Sequence, residues 1–337
     1  MTVAEKHVPV LLSEVMAAAE PGPGQRVVDL TFGAGGYTDA FLKAGAHVVA
    51  FDRDPSAIAA GKVRFAAAGD QLTLIEAPFD QLEARLSDSG IAEVDAVVGD
   101  FGVSSMQLDE AARGFSFMAD GPLDMRMGAG RSAADLLDEV EESDLADILY
   151  QYGEERQSRR LARRILSAHQ ESPLKTTGAL AAIAEETLGK ASKTHPATRL
   201  FQALRIFVND ELGQILRVLM AAERLLKAGG RLVAVSFHSL EDRLVKRFFS
   251  AASGKGGAVS RHLPAIGGPE PSFSLPVKPQ RAGEQEVASN PRARSATVRS
   301  AVRTAAQPLE WTRERLRGLG LPPLVLSPYQ QSWSTLS

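Results

Sequence analysis

The chain has 337 residues, of which 44% are hydrophobic and 23% charged, with a formal net charge of −3, so it can bury a sizeable core in one or two globular domains. No apolar run approaches the roughly 18 residues of a membrane span, and the N-terminal residues lack a signal-peptide layout, so we expect a cytoplasmic protein without a membrane partner. The absence of cysteine excludes disulfides, thiolate metal sites and cysteine nucleophiles.

The first predicted elements are a buried strand over 26–30 and a helix over 37–44. They are joined by a turn that contains Gly33, Gly35 and Gly36. Such a turn brings backbone amides close to a ligand at the N-terminus of a helix. We therefore expect these glycines to bind a cofactor.

The glycine spacing distinguishes between two classes of cofactor. Nicotinamide-binding turns follow G-x-G-x-x-G, whereas here Thr38 takes the third glycine position and the extra glycine is Gly36. The resulting G-x-G-G favours S-adenosylmethionine. The next apolar run ends in Asp52, nineteen positions after Gly33, where a carboxylate commonly binds a ribose. A tight turn without a ligand is the alternative, and Asp52 weighs against it.

The alternation of strand and helix continues. The next elements are a helix over 54–65, a strand over 72–79, a helix over 81–86 and a strand over 94–100. Apolar strands that alternate with helices are typical of a parallel sheet covered on both faces. The predicted fold class is α/β with a Rossmann-like, mostly parallel sheet.

A long insertion follows the fourth strand. The next comparable strand begins at Arg231, about 130 residues after Asp100, and the residues between have helical periodicity. We predict a discontinuous Rossmann-like domain over 1–105 and 206–303, an inserted all-helical domain over 106–205, and a C-terminal extension over 304–337 with no assignable role.

Ligands in open α/β sheets bind outside the carboxyl ends of the strands. The residues predicted at or next to such ends are Asp29, Asp52, Phe79, Asp100 and His238. Asp29 either holds the glycine turn or touches the ligand. Phe79 either stacks on an adenine ring or fills the core.

The loop after the fourth strand, GDFGVSSMQLD, is the best candidate for catalysis. It supplies the carboxylate of Asp100, the hydroxyls of Ser104 and Ser105, and the amide of Gln107. Loops at this edge of a sheet hold substrate. The alternative is a helix start with Ser104 or Ser105 as its N-cap.

The motif SFHSLED follows the fifth strand. Ser239 and Asp242 fit a capping box for a helix over 240–249, which leaves His238 at the rim in either a catalytic or a structural role. The six histidines show no metal-ligand spacing, so we expect no metal site.

Two further blocks of the sequence are RGFSFMADGPLDMRM and HPATRLFQALRIFVNDEL. Through these blocks and the motifs above, from His7 to about Arg299, the chain resembles the RsmH (MraW) family of bacterial 16S ribosomal RNA cytosine-N4 methyltransferases. The two blocks are too long to match by chance. The resemblance implies a class I S-adenosylmethionine-dependent methyltransferase whose inserted helical domain helps to recognise RNA. The implied substrate is a decoding-region cytidine of 16S rRNA in the small ribosomal subunit. The sequence does not decide whether the active enzyme is a monomer or a homodimer.

The resemblance also implies the cofactor contacts. They carry over onto Gly35, Gly36, Tyr37, Asp52, Phe79, Asp100 and Gln107. Tyr37 departs from the histidine usual there, which leaves its backbone amide as the contact. Gly99 and Phe101 replace the usual aliphatic residues beside Asp100, which alters the packing of the loop.

Amine methylation also agrees with the composition. Methylation of carbon 5 of a pyrimidine generally needs a cysteine adduct, whereas an exocyclic amine needs no covalent intermediate. Asp100 would accept from the hydrogens of the amine, while Ser104 and Ser105 orient the base. Alignment of amine and methyl group contributes up to roughly 7–11 kcal/mol in favourable systems.

Basic residues mark the expected RNA contacts. Residues 243–303 contain eleven Lys and Arg but three Asp and Glu, a net of +8, so the remainder carries −11. Such a segment is a candidate polyanion footprint, with a solvated surface as the alternative. The candidate phosphate contacts are Arg156, Arg159, Arg160, Arg163, Arg164, Lys246, Arg247, Arg292 and Arg294. For the inserted domain, the alternative is that several of these arginines pair with acidic neighbours such as Glu139, Glu141 and Glu142.

Two other functions fit parts of the sequence. A nicotinamide-dependent oxidoreductase would need the third glycine that Thr38 replaces. A non-catalytic rRNA-binding assembly factor would keep the basic surface but would not need the loop of Asp100.

Overall fold

The computed structural model describes residues 9–102, 110–189, 195–255 and 269–335. The candidates Ser104, Ser105 and Gln107 lie outside these ranges. The chain forms two compact units, which we call the sheet unit (1–102 and 214–319) and the helical unit (103–213 and 320–337). Within the described ranges, no helix combines the length and apolar character that a membrane crossing requires.

The first part of the sheet unit alternates strands and helices. Its elements are α1 (Leu12–Ala19), β1 (Arg26–Asp29), α2 (Gly36–Lys43), β2 (His47–Asp52), α3 (Pro55–Arg64), β3 (Leu72–Glu76), α4 (Leu82–Asp88) and β4 (Val94–Asp100). Local chemistry sets the start of α3, since the Asp54 carboxylate accepts from the Ser56 amide and Pro55 occupies the first turn.

The helical unit follows β4 in the chain. Its helices are α5 (Ala133–Glu139), α6 (Glu142–Gly153), α7 (Ser158–Glu171), α8 (Thr177–Leu188) and α9 (Ala197–Val208). Apolar side chains at helical spacing, such as Leu145, Leu149 and Leu204, are fully buried. The helix α10 (Glu211–Leu225) then leads back into the sheet unit.

The remaining elements complete the sheet. They are β5 (Leu226–Ser236), α11 (Ser239–Ala252), β6 (Phe273–Ser274), β7 (Gln280–Arg281), α12 (Glu284–Ser289), β8 (Thr297–Arg303), α13 (Arg313–Gly318) and α14 (Pro328–Thr335), the last of which belongs to the helical unit. The strand order is β3-β2-β1-β4-β5-β8-β6, with β7 paired to β8. β1 to β5 are parallel, and β8 runs antiparallel to β5. The predicted α/β class is confirmed.

Two strand boundaries differ from expectation. β3 ends at Glu76 instead of Phe79, and Phe79 begins a short 3₁₀ turn, because Pro78 has no amide hydrogen to continue the ladder. β5 starts at Leu226, with an irregular register before Arg231. Gly229 in this stretch has a positive φ of 83°, a conformation that glycine permits.

The basic segment contributes structure that the sequence does not reveal. β8 pairs along the full inner part of β5, from Arg231 to Ser236. The Arg303 guanidinium is buried and donates to the carbonyls of Glu223 and Ser272. Within the candidate polyanion footprint over 243–303, burial therefore removes the cation of Arg303 from the surface.

The C-terminal extension takes part in both units. In the sheet unit, the buried carboxylate of Glu223 accepts from the Leu309 amide at 2.9 Å and from Trp311 Nε1 at 2.5 Å, and the Trp311 ring stacks on Phe248. In the helical unit, Gln330 Nε2 donates to the Phe207 carbonyl at 3.0 Å. Each half of the extension therefore fills a core.

Candidate active site

The glycine turn is held by Asp52. Gly33 and Gly35 have positive φ values of 51° and 76°, which residues with a Cβ rarely adopt. The Gly33 amide donates to Asp52 Oδ2 at 2.8 Å, and the Asp54 amide donates to Asp52 Oδ1 at 2.9 Å. Burial raises the pKa of Asp52. The carboxylate is thus fixed at the end of β2, beside the turn.

Asp29 binds residues on both sides of the glycine turn. Its carboxylate is buried and accepts from Thr38 Oγ1 at 2.7 Å and from the Thr31 amide at 3.1 Å. Burial raises its pKa from 3.8 to about 6. Of the two roles that the sequence leaves open, these contacts favour holding the turn.

The start of α2 is closely packed. The Tyr37 hydroxyl donates to the Val10 carbonyl, and its ring stacks on Phe41. This side chain belongs to the core, which leaves the backbone amide of Tyr37 for a ligand. A Cβ at Gly36 would lie 2.2 Å from Pro9 Cγ, and one at Gly35 would lie 2.6 Å from an atom of the Phe65 ring. Packing alone therefore requires both glycines.

Asp100 ends β4, next to β1. Its amide donates to Thr31 Oγ1 at 2.9 Å. Its Oδ1 atom is buried, and no residue in the described ranges donates to it. Burial, together with the negative charges of Asp29 and Glu241, raises its pKa well above the usual value. A buried acceptor without a partner commonly marks the place of a ligand.

The residues around Asp100 fit each other. A Cβ at Gly99 would lie 2.7 Å from Cε1 of Phe101 and 3.1 Å from Cδ1 of Leu30. The Phe101 ring therefore occupies the space that a larger residue 99 would take. Phe101 is buried, and its ring lies 5.7 Å from the half-buried Phe79 ring. This contact gives Phe79 a packing role, and it leaves open whether the ring also stacks on an adenine.

The motif after β5 differs in detail from its predicted form. The helix begins at Ser239, and the Glu241 carboxylate accepts from the amides of Phe237 and His238 at 2.8 and 3.2 Å. The capping box of Ser239 with Asp242 is therefore wrong, because Asp242 instead forms a two-fold ion pair with Arg299. Sequence analysis missed Glu241, although a glutamate three residues after the N-cap, here His238, is its signal.

His238 is nearly enclosed. Its side chain is 13% exposed, and its Nε2 lies 3.1 Å from Glu241 Oε1. Neither ring nitrogen makes an aligned hydrogen bond with a residue in the described part of the chain. Like Asp100, the imidazole is thus a buried polar group with capacity for a ligand.

The five candidate arginines of the helical unit are all exposed, and they are Arg156, Arg159, Arg160, Arg163 and Arg164. Four of them lie on one face of α7, and Arg156 precedes that helix instead of lying on it. Arg163 pairs with Glu142 at 3.1 Å and Arg164 with Glu186 at 3.5 Å. The pairing alternative therefore applies to two of these arginines.

The other basic candidates lie in the sheet unit. Lys246 and Arg294 are exposed, whereas Arg247 and Arg292 are half-buried.

The carboxyl ends of neighbouring strands thus carry three carboxylates, those of Asp29, Asp52 and Asp100. Their environment suits a cationic ligand, because a nearby positive charge would offset the free-energy cost of burying the carboxylates of Asp52 and Asp100. A sulfonium methyl donor has that charge and a ribose for Asp52.

Comparison with known proteins agrees with this geometry. Residues 4–304 match the model of the MraW methylase family. The chain belongs to this family. It is therefore an S-adenosylmethionine-dependent methyltransferase, and the oxidoreductase alternative is wrong.

Three relatives share the name "Ribosomal RNA small subunit methyltransferase H". The protein of Methylobacterium sp. (strain 4-46) is 55% identical over 325 residues, 94% of this chain and 96% of its own length. That of Sinorhizobium fredii is 54% identical, covering 89% of this chain and 88% of the relative. That of Rhizorhabdus wittichii is 53% identical, covering 91% and 96%.

Proposed function

We propose that this enzyme methylates the exocyclic amine, N4, of a cytidine in the decoding region of 16S rRNA, within the small ribosomal subunit and in the cytoplasm. The observation that supports this site most strongly is the buried Oδ1 atom of Asp100, which lacks a donor among the described residues. It lies at the end of β4 beside β1, where the order of the parallel strands reverses. Ligands of doubly wound sheets bind at such a point.

Asp100 acts on the nucleophile. The lone pair of the cytosine amine is delocalised into the ring, and an acceptor on its hydrogens favours the pyramidal, nucleophilic form. S-adenosylmethionine supplies an activated methyl group when bound. The raised pKa of Asp100 suits it to take the proton that the amine loses on alkylation.

Other residues bind the donor and orient the base. Asp52 binds the ribose, and the donor is also held by Gly33, Gly35, Gly36, the amide of Tyr37, Phe79 and Gln107. Ser104 and Ser105, which follow Asp100 in the sequence, orient the cytosine. These two serines and Gln107 are assigned from the sequence alone.

The target base must leave its stack before its amine can reach the methyl group, so the substrate is a flipped or single-stranded cytidine. Arg159 and Arg160 are exposed on α7 and bind phosphates together with Arg156, Lys246 and Arg294. The remaining proposed phosphate contacts are Arg163, Arg164, Arg247 and Arg292. To bind a phosphate, Arg163 and Arg164 must first break their ion pairs with Glu142 and Glu186. Affinity for the subunit should therefore fall steeply with salt.

Transfer of labelled methyl to small subunits that lack the modification tests the function. We expect N4-methylcytidine on nucleoside analysis and none with the Asp100→Ala variant. Binding without transfer, to subunits and to naked RNA alike, would favour the assembly-factor alternative. Light scattering of the purified enzyme distinguishes a monomer from a homodimer.

A further inference from the structure

We propose that Glu241 is a positioning residue of the methyl-transfer site, which holds His238 so that its Nδ1 accepts one hydrogen of the target amine while Asp100 accepts the other. This inference rests on the proposed function. It assigns two acceptors to a group with two hydrogens, and so explains how the site selects an amine.

The contacts of Glu241 fix the start of α11. Its side chain is fully buried, and Oε2 accepts from the amides of Phe237 and His238 at 2.8 and 3.2 Å. These bonds set the backbone from which the imidazole projects. Oε1 lies 3.1 Å from His238 Nε2, so one carboxylate holds the backbone of His238 and lies against its ring.

The proximity of a carboxylate to Nε2 decides which nitrogen carries the proton. A negative oxygen at 3.1 Å favours the tautomer protonated at Nε2. Nδ1 is then a lone-pair acceptor. It is buried and has no hydrogen-bond partner among the described residues, which leaves it for a donor from the substrate.

Glu241 also lies beside the loop of Asp100. A Cβ at Gly102, two residues after Asp100, would lie 3.6 Å from Glu241 Oε1 and 3.4 Å from the Phe237 ring. Burial raises the pKa of Asp100, and the negative charges of Asp29 and Glu241 raise it further. The Asp100 loop and the His238 turn are therefore neighbours in one site.

Two acceptors define the chemistry of the base. The cytosine amine presents two N–H groups, whereas uracil presents a carbonyl oxygen at the same position, which both acceptors would repel. In the reaction, the N4–methyl bond forms as the sulfur–methyl bond breaks, and one N4 hydrogen passes as a proton to Asp100. The second hydrogen stays on N4, bonded to His238 Nδ1.

The test uses Glu241→Gln, which keeps a side-chain oxygen for the two amides but removes the charge. Asp242→Asn is the matched control, since Asp242 is adjacent but pairs with Arg299. In the enzyme without methyl donor, nitrogen-15 NMR should show His238 protonated at Nε2 in the wild type and the control. In Glu241→Gln it should be protonated mainly at Nδ1, because the amide NH₂ that takes the place of Oε1 donates to Nε2. Equal tautomers in all three proteins would overturn the proposal.

Kinetics supply the second readout. We expect Glu241→Gln to lower kcat about tenfold, the effect of one lost hydrogen bond, with KM for the methyl donor unchanged. His238→Phe should lose about as much, and the double variant no more, because both act through Nδ1. Additive losses would contradict the proposal, and His238→Phe carries the test if Glu241→Gln does not fold. A wild-type enzyme that methylates nothing would reject the proposed function instead, while the NMR result would still stand.

Discussion

Asp29 makes the free energy of unfolding depend on pH. The direction of this dependence is opposite to that produced by a surface carboxylate in an ion pair. Burial raises its pKa from 3.8 to about 6, so the folded state binds this proton more tightly than the unfolded state does. Between these pH values unfolding releases a proton, and the free energy of unfolding falls as pH rises. Above about pH 6 this contribution is constant.

The two pKa values set the magnitude. Their difference, at about 1.4 kcal/mol per pKa unit, destabilises the folded state by about 3 kcal/mol at neutral pH. Asp29→Asn removes this titration. It also weakens the hydrogen bonds from the Thr31 amide and the Thr38 hydroxyl, which lowers the free energy of unfolding by about 1 kcal/mol in total. The variant should therefore be less stable than the wild type at pH 4 and about 2 kcal/mol more stable at pH 7.

Urea unfolding of both proteins at several pH values, without methyl donor, measures this difference. Equal m-values would show that the unfolded states are comparable. A stability difference between variant and wild type that stays constant from pH 4 to pH 7 would refute the role assigned to the burial of Asp29.

Three further variants test the fold and the RNA surface. Gly99→Ala should destabilise the protein by about 1–3 kcal/mol, because the new methyl group meets the Phe101 ring, and Phe101→Leu should recover part of this loss in the double variant, as chemical unfolding would show. Trp333→Ala should cost the helical unit about 3–5 kcal/mol, since this buried ring packs 5.4 Å from Phe207; hydrogen exchange should rise in α9 and stay unchanged in β1. Arg159→Gln should reduce the slope of log affinity against log salt by about 0.7–0.9, measured by filter binding to the subunit.

Two of these variants have a matched control within the chain. Gly283→Ala adds a methyl group where no atom lies within 4 Å, so its stability should stay within about 0.5 kcal/mol of the wild type. Equal losses at Gly99 and Gly283 would contradict the packing argument. Arg131 pairs with Glu139 at 2.5 Å, and Arg131→Gln should leave the salt slope unchanged.

The sequence predicts most of the sheet because parallel strands are buried on both faces. β1, β2 and β4 are near-continuous apolar runs that end in an aspartate, and this pattern is visible without a structure. β8 escapes prediction because Arg299 and Arg303 interrupt its short run of valines and small polar or apolar side chains. Burial of Arg303 depends on carbonyl groups far away in the sequence.

The site shows the same division. Asp52 and Asp100 follow from the ends of strands, whereas Glu241 depends on a helix that starts one residue earlier than its pattern suggests. That shift decides which of two adjacent carboxylates caps the helix and which pairs with Arg299. The role of the C-terminal extension was equally hidden, because Gln330 finds its partner at Phe207 through tertiary packing.

The most direct test of the account is a single-turnover measurement of methyl transfer by Asp100→Asn at saturating donor. Asparagine keeps the shape of the side chain but cannot take the proton of the amine. We expect the rate on small subunits to fall at least about 100-fold, as for the loss of a general base, with N4-methylcytidine as the product of the wild type. A variant rate close to that of the wild type would contradict the role of Asp100.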